Sequence, residues 1–317
     1  MKSKTSIITI GLAPAWDIIC RGQDLDWDRH QNIDQQTILP AGKAFNISRA
    51  LAWTGQPSIA AGLWGGDDYE QMQAISRSLW PLINVNMTAI DGDTRKNVTI
   101  VDTANQKEMH LRNKANLLSK KALQKLESDL EAIVSENSTC VFAGALPEDE
   151  YLDEIIEIIE KCRKAGAKII LDTSGIALRR ITDTGMVWIV KPNVFELGEI
   201  FNGKIEDKNE SLIKASRKLL DKVKNVLISR GKNGAIFLNN NALYESKAIN
   251  CEQVLATVGC GDYLLAGFLK GWKDTNQADS ALSTAIKVAT AKAWGWTEQK
   301  DWLDVKDHVQ IKLSQSK

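Results

Sequence analysis

The chain has 317 residues, 44% of them hydrophobic, which is enough for one large α/β domain or two ordinary ones. Lys plus Arg total 40 and Asp plus Glu total 40, so no basic face points to nucleic acid and no acidic excess to a solvating tail. Five cysteines (Cys20, Cys140, Cys162, Cys251 and Cys260) are odd in number and lack paired zinc spacing, which makes a reduced cytoplasm the expected setting.

Residues 7–12 are a short β-branched run suited to a buried parallel strand. The apolar start, 6–13, is too short for a signal core, and no membrane segment is expected later in the chain. The strand runs into GLAPAWD at 11–17, where Asp17 can close a turn after Pro14. Residues 18–38 are polar and weakly alternating, and a similar segment recurs at 97–112. There Val98 and Ile100 alternate with polar residues, 103–106 interrupt, and Met109 and Leu111 alternate again, as in a hairpin with one apolar face. Between these segments a Gly42-Lys43 turn opens a helix at 44–54 that Gly55 and Pro57 stop. The unpaired N–H groups of such a turn, backed by the helix dipole, predict a polar or anionic ligand, with Asn46 projecting toward it from the first turn.

From Ser119 the pattern becomes helix, strand, helix, strand. Ser119 caps a helix with Leu123, Leu126, Leu130 and Ile133 on one face. A strand is expected at 139–143, then a helix at 149–164 that buries Leu152, Ile155, Ile156 and Ile159, then strands at 168–172 and 187–190. Such alternation predicts a mostly parallel sheet with helices on both faces and ligands outside the carboxyl ends of the strands. At one such end Lys191, Pro192, Asn193 and Glu196 follow. An amide and a carboxylate three apart can hold a hydrated Mg²⁺ through its waters, or Asn193 and Glu196 can cap a helix reciprocally; both readings are compatible. Residues 226–234, VLISRGKNG, read as a strand entering a hairpin turn.

The densest signal is ATVGCGDYLLAGFL at 256–269, a glycine-rich turn opening straight into a buried helix. That is an anion site. Asp262 at its lip is either a helix cap or a base that accepts a proton from an attacking hydroxyl. Residues 277–294 are Ala-rich and helical, with Trp294 and Trp296 read as packing residues; 301–317 are charged and uninformative, and His30, His110 and His308 receive no role.

The stretch AGKAFNISRALAWTGQPSIAAGLWG at 41–65, together with 256–269, resembles the paired signatures of the PfkB, ribokinase-like sugar kinases, with the phosphofructokinase and tagatose phosphate kinase branch closest. The resemblance covers nearly the whole chain. The upstream signature fits residue for residue, whereas downstream Cys260 stands for Ala or Ser, Tyr263 for Ser or Thr, and Leu264 for Phe; GLAPAWD has Ala13 in place of the Asn of NPAxD. The resemblance implies one ribokinase-like α/β domain over 1–317, a mostly parallel central sheet with helices on both faces and a small β-sheet lid from about 18–38 and 97–112, which in several members also makes a dimer contact.

It further implies transfer of the γ-phosphoryl group of MgATP to a sugar hydroxyl, with Asp262 as base and Gly259, Cys260 and Gly261 as N–H donors. Asp17, Gly42 and Asn46 would orient the sugar. Lys191, Asn193, Ser229, Gly231 and Gly234 would meet the nucleotide, and Glu196 with Asn193 would hold Mg²⁺ through water. Arg230 stands in the nucleotide loop where the family has an apolar residue. Lys43 and Arg95 match basic positions with which relatives grip a phosphate already on the sugar, although Ala145 replaces a serine that would add a hydrogen bond. A ketohexose phosphate of the fructose or tagatose type is therefore expected ahead of a free sugar or nucleoside. Ala256, where potassium-dependent relatives carry an acidic residue, predicts little activation by that ion. A catalytically weak sugar-phosphate sensor is the competing class, motivated by the altered surroundings of Asp262; a dinucleotide-binding oxidoreductase is set aside because no G-x-G-x-x-G follows the first strand.

Overall fold

The computed structural model describes residues 6–147, 150–250, 253–255 and 257–316. Cys251, Ala256 and the expected helix start at Asp149 lie outside them.

The chain begins with strand β1 (Ser6–Gly11), followed by β2 (Ala15–Gly22), β3 (Gln35–Ala41), helix α1 (Lys43–Trp53), β4 (Ser58–Gly65), α2 (Tyr69–Leu79) and β5 (Ile83–Ile90). Next come β6 (Lys96–Asp102), β7 (Lys107–Leu111), α3 (Lys120–Ile133), β8 (Ser138–Ala143), α4 (Leu152–Lys164), β9 (Lys168–Asp172) and α5 (Gly175–Asp183). The remainder is β10 (Ile189–Val190), α6 (Val194–Ile200), α7 (Asn209–Leu219), β11 (Asn225–Ser229), β12 (Ala235–Asn239), β13 (Leu243–Ala248), α8 (Cys260–Thr275), α9 (Ala278–Ala293), α10 (Trp302–Val305) and β14 (Ile311–Ser316).

The larger sheet has the order β14-β13-β12-β11-β10-β9-β8-β1-β4-β5. From β5 to β11 neighbours run parallel, and β12, β13 and β14 continue antiparallel. Its strands are apolar on both sides because helices cover both. Along β8, Cys140 and Phe142 pack toward α3 and α4, while Val141 and Ala143 pack toward α1 and α8; Ile169 and Leu171 against Ile170 repeat the split in β9. Parallel pairing from β5 to β11 with this two-sided core places the carboxyl ends of those strands on one rim, where the βα loops collect.

The second, separate sheet, β3-β2-β6-β7, is built from the segments expected to form a lid. It is longer than the segments at 18–38 and 97–112, since β2 starts at Ala15 and β3 runs on to Ala41. Buried Asp102 fastens its outer end: the carboxylate accepts from the backbone N–H groups of Asp24, Leu25, Ala104 and Asn105 and from the Asn105 amide. One cross-strand row reads Ile38–Ile18–Val98–Leu111 and the next row on that face Gln36–Cys20–Ile100–Met109. That face is apolar, and Ile38 (38%) and Leu111 (50%) are exposed on it.

Three local expectations are corrected. In α4 it is Ile158 that is buried with Leu152, Ile155, Ile159 and Cys162, while Ile156 is only partly buried, because the helix starts at Leu152 and its inward stripe is set from there. The strand at 187–190 shortens to Ile189–Val190. Residues 301–317, charged and without a pattern of their own in sequence, contain α10 and the edge strand β14, paired with β13 from Leu243↔Ser316 to Ala248↔Ile311. Among the described residues no helix is long and apolar enough to cross a membrane.

Candidate active site

Three loops converge on the rim. β3 ends at Ala41 and α1 begins at Lys43, with Gly42 between them at φ 108°, a conformation side chains resist. A Cβ on Gly42 would also press on the backbone of Ala13 and Pro14, so the turn keeps α1 tight against the end of β1. Gly259 performs the same service for α8, entering it left-handed at φ 82°. The first turn of α8 then carries Cys260, Gly261 and Asp262 in sequence, its N-terminus facing the rim.

Asn46, in the first turn of α1, donates its side-chain amide to Asp262 Oδ2 at 3.3 Å. Asp262 is only 6% exposed. Burial, then the negative charge of Asp172, pushes its pKa from an ordinary 3.8 to about 7, against the pull of Lys43, Lys191 and the Asn46 hydrogen bond. A carboxylate so tuned is half ionised near neutral pH, the condition that suits a general base.

Asp172, at the end of β9, is the hub. Its Oδ1 binds Lys43 Nζ at 2.6 Å and Lys191 Nζ at 3.1 Å, and its carboxylate is fully buried. Asp172 Oδ2 has no hydrogen-bond partner among the described residues. Two ammonium groups share this carboxylate beside α8; a Cβ on Gly261 would lie 3.6 Å from Lys191 Nζ. Burial works against the charge of Lys43, but Asp172, Asp262 and Glu196 outweigh it and hold its pKa above the ordinary lysine range.

At the lid end, Asp17 accepts from Asn97 Nδ2 at 3.1 Å, and Asn97 Oδ1 is buried with no partner among the described residues. A ligand hydroxyl there would find an acceptor in each residue. Arg95 lies alongside, with Nε on the Pro14 carbonyl (2.9 Å), Nη1 on that of Asn113 (2.8 Å) and Nη2 on that of Ala13 (3.0 Å). Three of the five N–H groups of its guanidinium are thus bonded, which ties the lid strand to the loop after β1.

On the other flank Asn193 and Glu196 form the capping box of α6: Asn193 Oδ1 accepts from Glu196 N (2.9 Å) and Glu196 Oε2 from Asn193 N (2.8 Å). Burial raises the Glu196 pKa, offset by the Asn193 N–H and the two lysines. Ser229 ends β11 and forms a parallel bridge with Asn193, so the two candidate nucleotide residues are neighbours. Gly231–Asn233 is a single helical turn and Gly234 leads into β12, the expected hairpin. Arg230 turns away to Asp207 and Asn209. Trp294 is buried and packs edge-on against Trp296, as expected of packing residues.

The structure therefore gathers Lys43, Asn46, Lys191, Gly261 and Asp262 around Asp172, and Asp17 and Arg95 around the lid hinge. Asp172 and Asn97 were not singled out from sequence. A strand-final Asp followed by Thr is a common strand ending, and only the three-loop convergence marks it; Asn97 sits on the same lid face as Asp17 in register, a relation that needs the β2–β6 pairing.

Comparisons with known proteins give the family. Residues 4–294 match the family model described as pfkB family carbohydrate kinase. The chain is 31% identical over 259 residues to a 1-phosphofructokinase of Borreliella burgdorferi, covering 80% of each chain. It is 28% identical over 289 residues to that of Haemophilus influenzae, covering 90% of each. Among solved structures, phosphofructokinase-2 from Escherichia coli in complex with fructose-6-phosphate superposes with a TM-score of 0.85 at 20% identity, covering 96% of this chain and 99% of that one.

Proposed function

Because the chain belongs to the pfkB family of carbohydrate kinases, we propose that it transfers the γ-phosphoryl group of ATP to a hydroxyl of a phosphorylated ketohexose, of the fructose- or tagatose-phosphate type. The observation that carries the reading is Asp262: a buried carboxyl with a pKa near 7 at the mouth of a glycine-opened helix, next to two lysines.

In this mechanism Asp262 takes the proton as the sugar oxygen attacks the γ-phosphorus; the O–P bond forms while the bond from phosphorus to the bridging oxygen of ADP breaks. The backbone N–H groups of Gly259, Cys260 and Gly261, with Lys191 behind them, meet the charge on the phosphoryl oxygens. Asn46 holds Asp262 in place, Gly42 and Asp17 with Asn97 receive the sugar, and Lys43 and Arg95 face its phosphate. Lys191, Asn193, Ser229, Gly231 and Gly234 line the nucleotide side. The lid shuts out water, which would otherwise accept the phosphoryl group.

Bound Mg²⁺ would neutralise charge on the β- and γ-phosphates. No group of three His, Cys, Asp or Glu that could hold a metal exists among the described residues. Glu196, with one carboxylate oxygen already engaged by Asn193 N, fits an ion held chiefly by phosphates and water, the usual habit of Mg²⁺. We further propose one kinase domain with its lid, working in the cytoplasm, where the reduced thiols of Cys20, Cys140, Cys162 and Cys260, none of them in a disulfide, would persist, and pairing with a second copy through the apolar lid face.

One observation favours a second reading, an unphosphorylated sugar as acceptor: Arg95 spends three donors on carbonyls and Ala145 offers no hydroxyl. Comparing kcat/KM for fructose 1-phosphate, fructose 6-phosphate, tagatose 6-phosphate and free fructose decides between them. Higher efficiency on a free sugar would overturn the phosphosugar assignment, and no ATP turnover with any of them would overturn the kinase reading.

A further inference from the structure

Cys260 and Tyr263, two of the three departures from the family pattern around Asp262, are joined in space by a residue from another helix. Lys292 lies in the last turn of α9 and reaches back toward the start of α8. A Cβ on Gly259 would be 3.9 Å from Lys292 Cε. Its Nζ stands 5.5 Å from the centre of the Tyr263 ring, and Tyr263 is in turn packed at 6.4 Å against Trp53 from α1. The aromatic face gives the ammonium a preferred resting place.

The carboxyl end of α9 welcomes a cation, and from there the Lys292 ammonium stands beside the positive amino end of α8, where it adds to the field that a bound anion would meet. Lys191 approaches the same turn beside Gly261. The first turn of α8 therefore has two lysines beside it, Lys191 on Asp172 and Lys292 over the ring of Tyr263.

We propose that Lys292 is a positioning residue for the nucleotide: it adds positive charge at the α8 N-terminus, and with Tyr263 as its seat it strengthens the hold on the transferring phosphoryl group. The inference rests on the kinase reading for its chemistry. Cys260 offers an independent gauge of the field, since burial raises the pKa of its thiol and the charge of Lys292 opposes that rise.

The test uses the full chain and three variants, K292Q, K292R and Y263S. K292Q lowers kcat/KM for ATP about tenfold, less than the roughly 10²–10³ that loss of a direct oxyanion donor costs, and K292R restores most of it. In the same preparations, alkylation of Cys260 by iodoacetamide at pH 8, followed by peptide mass mapping, slows in K292Q and not in K292R. Y263S, which removes the seat, falls between wild type and K292Q in both measurements. Unchanged ATP kinetics with unchanged alkylation in K292Q overturns the inference, as does equal damage from K292R and K292Q, which would mark Lys292 as packing. Should wild type turn over no sugar at all, the kinase reading fails separately, and alkylation alone then judges the field: an unaltered Cys260 rate in K292Q removes the inference too.

Discussion

Asn46 Nδ2 lies 3.3 Å from Asp262 Oδ2, although 216 residues separate them in the chain. The contact locks the side chain of Asp262 toward the turn of α1, where Gly42 and Lys43 frame the site. It also sets the first expectation. Asp262→Asn leaves ATP binding nearly intact and lowers kcat by about 10²-fold or more, the ordinary scale for a general base. Steady-state kinetics alongside nucleotide titration checks it, and near-normal turnover would sink the assignment.

The pH dependence follows from the raised pKa. The base must be ionised to act, so kcat/KM for the sugar falls as pH drops below about 7, the value at which the Asp262 carboxyl titrates. Stability moves the other way. A folded-state pKa above the unfolded one contributes stability that is complete below the ordinary 3.8 and lost as pH rises through about 7. Asp262→Asn therefore gains Tm relative to wild type at pH 8, and the gain shrinks toward pH 5. Calorimetry at both pH values reads the sign; a variant equally displaced at both removes burial as the cause.

Asp172 is the structural risk in the site. Replacing it by Asn leaves Lys43 and Lys191 without their shared carboxylate, and breaking a buried charge pair from one side costs about 3–5 kcal/mol. The partial exposure of Lys43, 27%, puts the expected loss at the lower end, about 3 kcal/mol. Urea unfolding measures it, and a loss under about 1 kcal/mol would show that the lysines find water or other partners.

Arg95→Ala tests the hinge and the phosphate together. KM for the phosphosugar rises about tenfold or more, as loss of a charge-assisted contact would produce, and KM for ATP stays nearly unchanged. A matching rise in both would assign Arg95 to holding the lid alone, through its bonds to Ala13, Pro14 and Asn113.

The lid face supplies a last expectation. Ile38→Asp with Leu111→Asp puts charge into the apolar row Ile38–Ile18–Val98–Leu111 and yields a monomer by light scattering. A double variant that keeps the wild-type mass would place any self-association elsewhere.

What was legible in the sequence was what local pattern can carry. Ser119 capping α3 is seen in its bond to Ala122 N, and the two-sided apolar strands β8 and β9 could be read from their runs because both faces are covered. The turns at Gly42 and Gly259 announced themselves because positive φ demands glycine. Asp172 gave no such signal: its meaning comes from Lys43, 129 residues earlier, and Lys191, on a different strand end. β14 was hidden for another reason, since IKLSQS at a sheet edge keeps polar residues and its pairing is decided by β13. Asn193 and Glu196 carried two meanings in sequence, and the capping box is realised without displacing the proposed metal role.

The site on the rim joins distant stretches of chain, Lys43 to Asp172 across 129 residues and Asn46 to Asp262 across 216. Loops of that size close slowly, after local helices have formed. Recovery of turnover after dilution from denaturant should accordingly lag the return of the far-ultraviolet helix signal, so that enzymatic activity reports completion of the whole sheet rather than growth of any one part.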